Sequence, residues 1–189
     1  MSLEAVGRAA NVGLGAVAAF DAAKSAFGVD DGVERPDFVA DCHELLRRIP
    51  TALPLVAQAL LNRGVAKGEQ EDIDGEIADL TAAVELAGAP ADQVALALVN
   101  RGITKAQLED TDGAIVDLTA VVELAGAPAE RVAKALVNRG VAKGQQEDID
   151  GAIADYTAVV KLAGAPADLV EFAREESAKL APKAPTHAP

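Results

Sequence analysis

Apolar residues fall at helical spacing along much of the chain. Between residues 91 and 107, Val94, Leu98, Val99 and Ile103 share one helical face, and Leu96 widens the stripe. A second stripe, Ile115, Leu118, Val121 and Val122, predicts another helix over about residues 112–124. Pro90 suits the first turn of the first helix, where a missing N–H costs nothing. Asp110 or Asp112 can cap the second, its charge matching the positive end of the helix dipole. Gly126 supplies the left-handed residue that ends a helix.

The pattern repeats. Asn62-Arg63-Gly64 returns as Asn100-Arg101-Gly102 and as Asn138-Arg139-Gly140, at intervals of 38 (100 − 62 and 138 − 100). Glu71-Asp72 with Asp74-Gly75 returns as Glu109-Asp110 with Asp112-Gly113 and as Glu147-Asp148 with Asp150-Gly151. Ala87-Gly88-Ala89-Pro90 returns twice in the same register. About two thirds of positions match between neighbouring copies, far beyond chance at such a period. One helix pair cannot bury both of its apolar faces, so the copies are expected to stack as a superhelix of helix pairs.

The expected domain organisation follows from these copies. Residues 1–56 read as a degenerate N-terminal helical repeat or cap: 37–49 align with a second helix when shifted by 38, and 16–27 with a worn first helix. Residues 57–166 hold three repeats, 167–181 a C-terminal capping helix with one wet face, and 182–189 a disordered, proline-bearing tail.

These residues resemble the tetratricopeptide repeat family, in its Asn-Arg-Gly variety with 38-residue repeats. Asn138-Arg139-Gly140, followed by Asp148-Ile149-Asp150-Gly151-Ala152-Ile153-Ala154-Asp155-Tyr156-Thr157, is especially similar to that family's pattern. The resemblance implies an all-α fold, a right-handed superhelical solenoid of antiparallel helix pairs. It implies that Gly64, Gly102 and Gly140 let the second helix approach, that Ala114 and Ala152 meet them, and that Tyr156 plugs the core. Leu80 and Leu118 stand where Tyr156 stands. Glu76 takes the small-residue place in the first copy, where looser packing is expected. The four residues beyond the family's usual 34 are expected to lengthen the first helix of each repeat.

Composition fits helix-on-helix packing. The chain has 189 residues, half of them hydrophobic and only 3% aromatic, so its core must be Ala, Val, Leu and Ile. The net charge of −13 repels phosphate backbones, and no nucleic-acid partner is expected. The single Cys42 forbids an internal disulfide and a cysteine zinc site. The apolar run from Ala9 to Phe20 is a poor outline for a signal peptide and too short for a membrane span, and a cytoplasmic location is expected.

Candidate chemistry is sparse. The Asp-x-Asp-Gly turns suggest calcium, but the spacing stops after two aspartates where an EF-hand continues to a distant Glu, and helix capping accounts for all three copies. Arg63, Arg101 and Arg139 recur sixteen residues before Asp79, Asp117 and Asp155. They read either as an arginine ladder for ligand carboxylates or as a structural Arg–Asp pair in each hairpin. With His43 and His187 the only histidines and no glycine-rich phosphate loop, neither enzyme activity nor a cofactor or metal is expected.

The resemblance places the first helices on an inner, concave face. That face would carry Leu61 and Val65, Val99 and Ile103, Val137 and Val141, flanked by Gln107, Lys134 and Gln145. Such an apolar strip marks a contact, either with a visitor or with the chain's own segments. Two functions follow: an adaptor binding a partner protein's helix or peptide in the groove, or a self-associating assembly protein, a homo-oligomer built through the groove or the N-terminal apolar segment.

Overall fold

The computed structural model describes residues 52–181, and the expectations for residues 1–51 and 182–189 lie outside them. The described residues form α1 (Ala52–Glu69), α2 (Ile73–Glu85), α3 (Ala91–Gln107), α4 (Thr111–Glu123), α5 (Ala129–Gln145), α6 (Ile149–Lys161) and α7 (Ala167–Leu180). Among these residues there is no strand. The chain divides into two compact units, Met1–Arg101 and Gly102–Pro189, with the division inside α3.

Within the first unit, α1 and α2 make an antiparallel hairpin. Arg63 meets Asp79 and, further along α1, Lys67 meets Gly75 nearer the start of α2. Val56, Leu60 and Leu61 of α1 pack with Leu80, Ala83 and Leu86, joined by Ala97. Within the second unit, α5 packs between α4 and α6, and α7 covers α6. Ala133, Leu136 and Val137 enclose a core with Ala152, Tyr156, Val159 and Ala173. The Tyr156 ring meets Phe172 of α7 edge-on, centroids 6.3 Å apart, an arrangement favoured by the ring quadrupoles.

Local chemistry fixes the ends of each element. Asp72, Asp110 and Asp148 are the N-caps of α2, α4 and α6, each carboxylate accepting from the N–H three residues on, at 3.0, 3.0 and 2.9 Å. Asp110 thus caps α4, and Asp112 lies in its first turn. The residue at that third position is glycine in every copy, because a Cβ at Gly75, Gly113 or Gly151 would run into the capping carboxylate. Gly88, Gly126 and Gly164 follow the second helices with φ of 81° to 84°, the left-handed exit expected of Gly126. Pro90, expected in the first turn of α3, stands just before it, and its carbonyl accepts from Val94 N–H at 3.0 Å, as the Pro128 carbonyl before α5 accepts from Val132 N–H at 3.0 Å.

The glycines Gly64, Gly102 and Gly140 of the first helices lie close against the second helices of their hairpins. A Cβ on Gly140 would lie 2.8 Å from a Tyr156 ring carbon, and one on Gly102 would lie 3.1 Å from Leu118 Cγ. The large residue of the second helix thus lies nearest the space that glycine leaves, and at Gly102 the Ala114 carbonyl oxygen meets it as well, 3.4 Å from the same Cβ position. In the first copy, the Glu76 carboxylate lies along Gly68, where a Cβ would be 2.6 Å from Oε2. Gly144 occupies the same place as Gly68 in the third copy and faces open space.

Candidate functional site

The Asn-Arg-Gly segments lie in the first helices, and two of the arginines they carry, Arg63 and Arg139, are bound within their hairpins. Arg63 holds Asp79 through a two-pronged fork, Nε to Oδ2 at 2.7 Å and Nη2 to Oδ1 at 2.6 Å. Arg139 holds Asp155 in the same way, at 2.9 and 2.7 Å. A lysine four residues beyond each arginine, one helical turn along the same face, joins the carboxylate: Lys67 to Asp79 at 3.1 Å and Lys143 to Asp155 at 2.9 Å. In the second unit Lys105 meets Asp117 at 2.9 Å. The carboxylates are buried, with Asp79, Asp117 and Asp155 between 2% and 4% exposed. Buried carboxylates require partners of this kind, so the structural reading of the Arg–Asp spacing is the one the geometry carries.

Electrostatics at Asp79 follow from this geometry. Burial pushes its carboxyl pKa upward, but the hydrogen bonds and charges of Arg63 and Lys67 outweigh burial and hold it below the ordinary carboxylate range. Burial, with the carboxylates of Glu176 and Asp155, pushes the Tyr156 phenol above its ordinary value. Among the described residues, no group of three or more His, Cys, Asp or Glu is placed to hold a metal ion.

The arginines also tie successive hairpins together, which sequence reasoning missed. Arg101 Nη1 donates to Thr81 Oγ1 at 2.9 Å inside the first unit, and Arg139 Nη1 donates to Thr119 Oγ1 at 3.0 Å inside the second. The signal was present in the repeat: Lys67, Lys105 and Lys143 recur in register, as do Thr81, Thr119 and Thr157.

The expected apolar strip is interrupted at the surface. In the first unit Leu61 and Val99 are 2% and 3% exposed, while Val65 is 42% exposed. In the second unit Val137 is 8% exposed and Val141 40% exposed, with Ile103 half-buried. Leu61 and Val137 belong to the cores of their units, because the adjoining helices approach closely across alanines such as Ala57 and Ala133, both 0% exposed. Of the six aliphatic residues of the strip, Leu61, Val99 and Val137 are buried, Ile103 is half-buried, and Val65 and Val141 are open.

On α5 the open residues fall on one face. Lys134, Val141 and Gln145 lie at i, i + 7 and i + 11, with buried Val137 beneath them. Lys134 Nζ is held by Glu130 Oε1 at 2.7 Å, and Asn138 Nδ2 donates to the Lys134 carbonyl at 2.8 Å. Gln107, at the end of α3, is exposed as well. No helix among the described residues is long and apolar enough to cross a membrane.

Comparison with known proteins agrees with this architecture. Residues 133–166 match the family model described as tetratricopeptide repeat. None of the curated proteins matches the chain. Among solved structures, the first TPR of Spaghetti (RPAP3) bound to HSP90 peptide SRMEEVD is similar at a TM-score of 0.52 and 23% identity, over 67% of this chain and 94% of that one. The fold class is accordingly all-α and helical-repeat, similar to that of tetratricopeptide proteins, and the match to the tetratricopeptide repeat model extends over residues 133–166.

Proposed function

We propose that this acidic chain is a protein-interaction adaptor that receives a partner's helix or extended peptide on its first helices. We also assign its copies to the Asn-Arg-Gly variety with 38-residue repeats. One observation carries the adaptor reading. Val141 is 40% exposed on α5 between Lys134 and Gln145. An aliphatic residue left open beside polar groups suits a docking face with an apolar centre and a polar rim. Val65 repeats the feature in the first unit at 42%. The similar solved structure holds a peptide, which supports a peptide or protein partner here.

A photo-reactive amino acid at Val141 tests the reading, with Val116 as control. Val116 is 66% exposed on α4, so it reports on non-specific contact. Crosslinking of a discrete partner from Val141 but not from Val116 supports the adaptor role. Equal capture at both sites, or none at Val141, removes it. A Val141 adduct with a second copy of the chain would instead select self-association. Light scattering of the free protein checks that outcome independently.

A further inference from the structure

Both hairpin turns of the second unit hold an aliphatic side chain in water. Leu108, just after α3, is 53% exposed, and Ile149, the first residue of α6, is 37% exposed. Leu108 stands where the other two copies carry Gln70 and Gln146. In the third copy that glutamine makes a contact: Gln146 Nε2 donates to Asp112 Oδ1 at 2.7 Å. The bond ties the turn before α6 to the first turn of α4 and brings both turns, with Leu108 and Ile149, to one edge of the unit.

The same edge is acidic. Glu109, Asp110 and Asp112 in one turn, and Glu147, Asp148 and Asp150 in the other, are exposed. Among the described residues none of these carboxylates has an ion pair. No Lys or Arg occurs between Lys105 and Arg131 or between Lys143 and Lys161, and Lys105 and Lys143 are themselves held by buried Asp117 and Asp155. The loops at the opposite end of these helices, 124–128 and 162–166, carry no charged residue. Negative potential is thereby concentrated at the end that bears the two open aliphatic residues.

We propose that this edge is a second docking surface, and that its occupant is a basic amphipathic segment of a partner protein. An apolar residue of that segment meets Leu108 and Ile149, while flanking lysines or arginines meet the carboxylates. Apolar contact holds the segment, and complementary charge speeds its arrival and selects it over other segments. Like charge works against a second copy of this chain and against phosphate-bearing ligands at the same place. The inference does not rest on the adaptor face, since Lys134, Val141 and Gln145 take no part in it.

A fluorescent amphipathic helical peptide of leucine and lysine is the probe, and its anisotropy is the readout. Leu108→Gln gives the second copy the residue that the other two already carry. It should weaken the peptide about tenfold, the scale of one aliphatic side chain losing its apolar contact. Glu109→Gln together with Glu147→Gln should weaken it about tenfold at about 0.05 M salt and match the parent protein near 1 M, where the Debye length is about 3 Å. Val116→Gln removes an aliphatic residue that is 66% exposed on α4 and should change nothing. A matching peptide of leucine and glutamate should not bind. Circular dichroism checks that each variant stays helical, and the paired glutamate variant carries the test should Leu108→Gln lose helicity. Affinity indifferent to Leu108→Gln, or lowered equally by Val116→Gln, overturns the proposal and leaves only general charge attraction. Binding lost on Val141→Asp but kept on Leu108→Gln seats the peptide on the adaptor face instead, and overturns it as well.

Discussion

Arg139 and Asp155 stand sixteen residues apart and close the third hairpin with a two-pronged fork of 2.9 and 2.7 Å. Lys143 adds a third bond to the same carboxylate at 2.9 Å, and Thr119 anchors the far side of the guanidinium. The side chains are 14% and 5% exposed, so this ion pair is largely withdrawn from water. A buried pair of this kind adds little net stability over an apolar pair, but losing one partner strands the others.

Asp155→Ala should therefore be costly. It leaves the Arg139 and Lys143 charges without their shared carboxylate, and a loss of about 3 kcal/mol in unfolding free energy is expected. Urea denaturation measures it. A loss under about 0.5 kcal/mol, the scale of an ordinary surface substitution, would mean the fork is dispensable.

Stability should fall with acid through Asp79. Its folded-state pKa is lowered, so its contribution is complete above the ordinary carboxylate value of about 3.9 and is lost as pH falls through the lower folded value. Asp79→Asn should flatten the pH dependence of the urea midpoint below about pH 4. An unchanged acid limb in that variant would assign the loss to other groups.

Two glycines of α5 should respond oppositely to alanine. Gly144 faces open space, so Gly144→Ala should gain close to the helix-propensity difference of about 1 kcal/mol. Gly140 lies under the Tyr156 ring, where a Cβ would be 2.8 Å away. Gly140→Ala should lose about 1–3 kcal/mol through overpacking. Melting temperatures moving in the same direction would contradict this packing.

The hairpin turns hold a residue in the left-handed region. Glu71, Glu109 and Glu147 have φ of 63° to 64°, a conformation that side chains disfavour. Glu109→Gly should raise stability by roughly 0.5 kcal/mol, the relief exceeding the added chain entropy of glycine. Thermal unfolding of the single variant reads it directly, and a lower midpoint would show that Glu109 gains more from its contacts than it loses to strain.

Much of the fold was legible because its signals are local. Asp110 followed three residues later by Gly113 specifies a cap, and Gly126 specifies an exit; each acts within one helical turn. The Arg–Asp spacing was legible as a pair for a different reason: both members recur together, as Arg63 with Asp79 and Arg139 with Asp155 do. The candidate site was less legible. Leu61 and Val65 look alike in the pattern, yet one is 2% and the other 42% exposed.

The sequence by itself determined the helices, their ends and the repeat, because capping, glycine conformation and periodic apolar faces depend on residues a few positions apart. Only the tertiary structure decided which aliphatic residues reach water and which large side chain fills each glycine notch. Those outcomes depend on how closely a neighbouring helix approaches, and that distance is set by side chains from elsewhere in the chain, such as Tyr156 over Gly140.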